Sequence, residues 1–211
     1  MLYKDNKRHK FSNINVFGSG ELYNQIKPLL IQQHICIQNV FDDTIKDKKY
    51  DININRHLNN KEILYCVGYK NMINRYKRYK EIKNMGFSPI SFISNKSIFS
   101  SESYVKNGSI INQGVIIDNF VSIGECVFVN IGSIISHHSV IQDNVFIAPG
   151  ANIAGYVTVD EGSFIGINAT IIDHINIGKY SLIAGGAVVI DDVPPYTMVA
   201  GNPAKVIKML I

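Results

Sequence analysis

The sequence predicts a small parallel α/β domain followed by a triangular β-solenoid that closes on a short helix. Three observations carry that expectation. Ile or Val stands at every sixth position from Val105 to Val189, fifteen times without an exception or an insertion. A period of six fits neither a helical face, which repeats near 3.6, nor a strand, which repeats at 2; a fixed short period marks a solenoid. Strand-like and helix-like stretches alternate upstream of that run, the pattern of a parallel sheet with crossover helices. Charge is also split. Residues 1–98 carry 17 Lys and Arg against 8 Asp and Glu, whereas residues 99–211 carry 4 against 9. The expected division is therefore 1–98 and 99–211.

The alternating half begins with a polar, basic stretch, residues 1–12, expected to be a loose leader. Ile14 to Phe17 is a short strand ending in Gly18-Ser19-Gly20, and Glu21 to Gln33 has the spacing of a helix with Leu22, Ile26, Leu29 and Leu30 on one side. Pro28 is out of place there, since it removes a helical donor. A strand, a glycine turn and a helix start leave free N–H groups that suit a phosphate, although a tight structural turn accounts for two glycines as well. Ile35 to Phe41 is a second strand closed by Asp42-Asp43, and Ile63 to Val67 a third closed by Gly68. Carboxylates at strand C-termini lie where open α/β sheets bind ligands; a polar turn is the plainer alternative. Residues 70–85 form a basic helix, with Met72, Ile73, Tyr76, Tyr79 and Ile82 set against Arg75, Lys77, Arg78, Lys80 and Lys83. Pro89 to Ile93 is the last strand of this half, and Ser-rich residues 94–104 make the boundary.

In the solenoid each six-residue unit is a short strand and a turn. Three units make one coil, so stacked positions are eighteen residues apart, and fifteen units make about five coils. The Ile and Val point inward and each coil buries its neighbours. After Val189 the register breaks at Asp191 to Pro195, and Pro203 to Leu210 is the expected terminal helix, with Pro at its start.

A scaffold so regular is searched for chemistry at its deviations. One turn contains His137 and His138. The eighteen-residue step puts Asn119, His137, Gly155 and Asp173 in one column, and Phe120, His138, Tyr156 and His174 in the next. His137 then faces a residue without a side chain, a gap through which a slender ligand would reach an imidazole acting as general base. A polar turn histidine is the plain alternative. Three histidines on zinc, His137, His138 and His174, are a second enzymatic reading, weakened because two of them share one column two coils apart.

Composition excludes several classes. No apolar run reaches the roughly 18 residues of a membrane-spanning helix, and the N-terminus has no apolar signal core. Three scattered cysteines match neither a zinc nor a disulfide framework. A cytoplasmic protein with reduced thiols is the expectation. The basic first half lacks aromatic interleaving and any nucleic-acid motif, so its charge suits a phosphorylated small molecule or plain solvated helices.

These residues carry a resemblance. The six-residue repeat resembles the left-handed parallel β-helix of hexapeptide acyltransferases, and the ending from Met198 to Lys205 (MVAGNPAK) resembles their closing motif. With the Gly-Ser-Gly turn and Asp-Asp upstream, the chain is similar to the sialic-acid O-acetyltransferase type, which includes PglD-type N-acetyltransferases of nucleotide-linked 4-amino sugars. The resemblance spans about residues 13–211. It implies a homotrimer with acetyl-CoA between neighbouring prisms, no metal, and the nucleotide at the strand ends of the first domain. It implies N-acetylation of a dTDP- or UDP-linked 4-amino-4,6-dideoxy sugar for surface glycans. The alternatives are O-acetylation of a sugar, or an inactive nucleotide-sugar-binding trimer. His137 matches the family's base. His138 stands where the family has Glu or Asp, so the partner that orients the ring is an open question, with Asn119 or a neighbouring chain's carboxylate as candidates. Gly155, Ile167 and Gly185 match CoA-contacting positions, and Phe146 replaces a second family His. Gly18, Ser19, Gly20 and Glu21 match the first nucleotide-sugar loop, Asp42 and Asp43 the base and ribose carboxylates, and Gly68 and Asn71 the third loop near the diphosphate.

Overall fold

The computed structural model describes residues 13–53 and 57–210 in full, and residues 2–4 and 7–9 as backbone. A four-stranded parallel sheet packs on the flank of a left-handed parallel β-helix. Three sheets of ten, six and five strands form the faces of the prism. Each six-residue unit contributes a two-residue strand whose second member is the repeating Ile or Val, for example Ile134–Ile135 and Asn152–Ile153. All fifteen repeat positions are buried, none more than 3% exposed, in one continuous core. The partners Ile117, Ile135 and Ile153 follow one another at eighteen residues. Small residues turn the corners, and several of them are serines that tie coil to coil. Ser109, Ser133, Ser139 and Ser163 each donate to a carbonyl fifteen residues on, at 2.8–2.9 Å. A buried hydroxyl satisfied in this way avoids a desolvation cost of about 1–3 kcal/mol.

The prism begins earlier than the repeat alone suggests. Ser91–Ile93 pairs in parallel with Ile110–Ile111, and Ile98–Phe99 with Ile116–Ile117. One face thus has six strands where about five coils were expected. The stretch expected as one strand, Pro89 to Ile93, is shared: Ser88–Pro89 closes the small sheet and Ser91–Ile93 opens the prism.

Both ends of the longest face are finished by antiparallel strands. Leu2–Lys4 pairs with Ser91–Ile93 and with Lys7–His9, so these parts of the expected loose leader are strands; residues 1, 5–6 and 10–12 lie outside the described residues. At the other end, Lys205–Met209 is a strand on Thr197–Ala200, not the expected helix. A segment this short cannot repay helix nucleation. Its β-branched Val206 and Ile207 instead satisfy the open edge of the sheet.

In the first domain, α1 (Glu21–Gln32) runs unbroken through Pro28. Pro28 is exposed, so the carbonyl that loses its donor faces water. Buried Leu22, Ile26 and Leu30 join Ile14, Val16 and Leu64 in a cluster with Ile110, Phe128 and Phe146 on the outer surface of the prism's longest face. Phe128, Phe146 and Phe164 stack at 5.1 and 5.4 Å. These outward positions are apolar because the α/β domain covers them.

The second helix, α2 (Met72–Asn84), fastens the domain to a prism corner. The Arg75 guanidinium donates to the carbonyls of Val67 and Cys126 and to Asn144 Oδ1. Tyr76 donates to Asp143 Oδ2 at 2.8 Å and Tyr79 to the Asn107 carbonyl at 3.0 Å. Arg75 is therefore buried, and Ile73, expected on the apolar side, is exposed.

Candidate active site

The three strand-end loops converge on a cleft of about 1240 Å³ between the α/β domain and the prism. Gly18, at φ +98°, turns the first loop; a Cβ there would lie 2.6 Å from the Cys66 carbonyl oxygen. Gly20 opens α1 without a side-chain cap, which leaves the first-turn N–H groups available to an anion.

Asp42 locks this loop to the next. Its Oδ2 accepts from the Ser19 backbone at 2.7 Å and hydroxyl at 2.5 Å, and its Oδ1 from the Thr44 backbone at 2.8 Å and hydroxyl at 2.5 Å. Burial alone would raise the Asp42 carboxyl. The side-chain and backbone hydrogen bonds from Ser19 and Thr44 outweigh it and hold the group below its ordinary value. With four donors already on it, Asp42 builds the loop rather than waiting for a ligand. Asp43 is held by Arg78 through two bonds, at 2.7 and 2.8 Å, and remains half exposed at the cleft.

Gly68 has open space at its Cα. Tyr69 after it lies against Phe146 and Phe164, with ring centroids 4.5 and 5.0 Å away. Asn71 caps α2, accepting from the Asn74 N–H at 2.9 Å. On the prism side the cleft is lined by Asn130, Pro149, Ile167 and Gly185. The missing side chain of Gly185 makes room for Ile167, whose Cγ2 would be 2.9 Å from a Cβ there. The structure thus gathers Gly18, Gly20, Glu21, Asp42, Asp43, Gly68 and Asn71 with Ile167 and Gly185 around one space. Ser19 stands behind it, holding Asp42.

His137, His138 and Gly155 are elsewhere. They occupy the corner between the six- and five-stranded faces, and His137 does not line this cleft. The expected gap at Gly155 is not free: a Cβ there would be 2.6 Å from His137 Cε1, so the imidazole itself fills the space. His137 Nδ1 lies 3.2 Å from His138 Nδ1. The oxygen of Asn119, a candidate partner for His137, accepts from Ser100 Oγ at 2.5 Å instead. The His138 ring stacks on Tyr156 at 4.7 Å, and Tyr156 on His174 at 4.9 Å. A tyrosine ring between His138 and His174 keeps the three histidines from converging on one ion.

Several residues of the cleft were not expected from the sequence as site residues: Thr44, Tyr69, Arg75, Arg78 and Asn130. Asn112 and Asn130, like Phe128, Phe146 and Phe164, share an eighteen-residue column, and that spacing is the signal that could have found the covered face.

No known family model matches the chain, and no curated protein matches it. Solved structures do. GDP-perosamine N-acetyltransferase from Caulobacter crescentus, in complex with CoA and GDP-perosamine, is 20% identical over 93% of this chain and 97% of its own, with a TM-score of 0.84. The acetyltransferase domain of PglB from Neisseria gonorrhoeae, in complex with acetyl coenzyme A, is 23% identical over 93% of this chain and 100% of its own, with a TM-score of 0.84. WeeI from Acinetobacter baumannii is 24% identical over 92% and 100%, with a TM-score of 0.81. The chain shares the fold of these proteins over nearly its whole length.

Proposed function

We propose that the protein is an acetyl-CoA-dependent N-acetyltransferase acting on the 4-amino group of a nucleotide-linked 4-amino-4,6-dideoxy sugar, in the cytoplasm, for surface glycan synthesis. The observation that carries this reading is the shared cleft. Loops suited to a nucleotide diphosphate and the prism corner at Ile167 and Gly185 line one space of about 1240 Å³. The fold likeness to enzymes that bind acetyl-CoA or GDP-perosamine supports it. Among the described residues, no helix is long and apolar enough to cross a membrane.

His137 is the base. Its Nε2 takes the proton from the sugar nitrogen as that nitrogen bonds to the thioester carbon. The carbon–sulfur bond breaks, and the proton passes to the departing thiolate. Because His137 stands at a different corner from the cleft, the base is supplied by a neighbouring copy, which calls for a homotrimer with its sites between prisms. The bare apolar side chains of the terminal strand, Val206, Ile207 and Met209, are in keeping with self-association.

A panel of dTDP-, UDP- and GDP-linked 4-amino sugars with acetyl-CoA, followed by thiol release, tests the reading. Release with one of them is expected, and loss of His137 in His137→Ala should lower kcat by about 10²–10⁴-fold. No release with any would count against the activity, and hydroxyl acetylation would replace it with O-transfer.

A further inference from the structure

We propose that His138 is the positioning residue for His137, and that the two imidazoles form a dyad which a single added proton silences. This rests on His137 being the base. Among the described residues, His138 is the only side chain that hydrogen-bonds the His137 ring. The two Nδ1 atoms are 3.2 Å apart, so one of them must carry hydrogen and the other a lone pair.

Counting protons gives three states. The neutral pair carries two. In one arrangement His137 Nδ1–H donates to His138, and the His137 Nε2 lone pair is free to act. In the reverse arrangement His138 donates, and His137 Nε2 carries the second hydrogen. A third proton leaves the shared Nδ1–H in place and puts hydrogen on both Nε2 atoms, so the base is blocked wherever the charge resides. A carboxylate at position 138 would have no reverse arrangement, because it only accepts.

The dyad is held rigidly enough for this to matter. His138, at φ +60°, is clamped between Phe120, 4.9 Å away, and Tyr156, 4.7 Å away. His137 is pressed over Gly155. The titratable or charged groups at this corner on the two coils to either side are Glu102, Asp118, Tyr156, Asp173 and His174. Asp173 lies beside His174 at 3.8 Å, and none of the five hydrogen-bonds a dyad ring.

The test has two parts. In protein labelled with ¹⁵N-histidine and free of substrate, one ring should be the neutral Nδ1–H tautomer with a free Nε2, and that signal should vanish in His137→Ala. Finding both rings as Nε2–H tautomers at neutral pH overturns the dyad whether or not the enzyme reading stands. In turnover, His138→Phe keeps the aromatic stack but loses the acceptor. Its kcat should fall about 10–10²-fold with KM little changed. His138→Glu should restore kcat to the parent value or above. A His138→Phe enzyme with unchanged kcat would show that a neighbouring chain orients His137, and would overturn the assignment.

Discussion

At the scale of single residues, side chains of one type do different work according to what already touches them. Asp42 and Asp43 are adjacent carboxylates, but Asp42 is filled by Ser19 and Thr44 while Asp43 faces Arg78 at the cleft. Asp42 is held below its ordinary value in the folded state. It therefore adds stability above the unfolded-state value of about 3.9, and that stability is lost as pH falls through the lower folded value. Asp42→Asn should melt earlier than the parent at pH 6, with the gap closing below about pH 4; thermal melts across that range check it. Gly155→Ala makes the converse point. The new methyl would strike the His137 ring, which is exposed, and displace it from its place beside His138. Activity should fall about 10²-fold while the melting temperature barely moves. Asp42 was legible in the sequence as a site residue but not as a loop lock, because its donors come from a neighbouring loop and a turn.

At the scale of elements, α2 is the least sequence-like part of the molecule. Its buried side is Arg75, Tyr76, Tyr79 and Ile82, because it packs on a prism corner rich in carbonyls rather than on an apolar sheet alone. Burial pushes the hydroxyls of Tyr65, Tyr76 and Tyr79 up from their ordinary value, with Asp143 adding to the effect at Tyr76. The unfolded chain thus ionises them first, and the fold loses stability as pH rises above about 10. Tyrosinate absorbance for these three should appear together with unfolding, and Tyr76→Phe should make that alkaline loss less steep. Arg75→Met, which strands three acceptors, should cost about 2–4 kcal/mol in denaturant titration. The terminal strand belongs to this scale too. A proline at its start suggested a helix, and an unfilled sheet edge decided otherwise.

At the scale of the whole molecule, the separation of His137 from the cleft is the main consequence of the prism. Three faces put three corners apart from one another, so a single chain does not bring its own His137 to its own cleft. If sites form between copies, His137→Ala chains co-assembled in equal amount with a cleft variant such as Asp43→Lys should recover about one quarter of parent activity, since a quarter of random junctions pair two intact halves. Each variant alone should be nearly inactive, and the assembled species should sediment as a trimer. Recovery no greater than the sum of the separate variants would mean that each chain works alone.

The sequence by itself determined the prism, its inward residues and the neighbours of His137. A six-residue repeat without insertions is a local rule applied over and over, and stacked positions follow from counting. It also located the three loops, since glycines and carboxylates at strand ends have local causes. Only the tertiary structure decided which outer face the α/β domain covers, which acceptor Arg75 finds, that Asp42 is already occupied, and that His138 rather than Asn119 meets His137. Most of those outcomes depend on contacts between residues far apart in the chain, as between Met72 and Asn144 or Tyr69 and Phe164, where no periodicity carries the information and packing alone selects the partner.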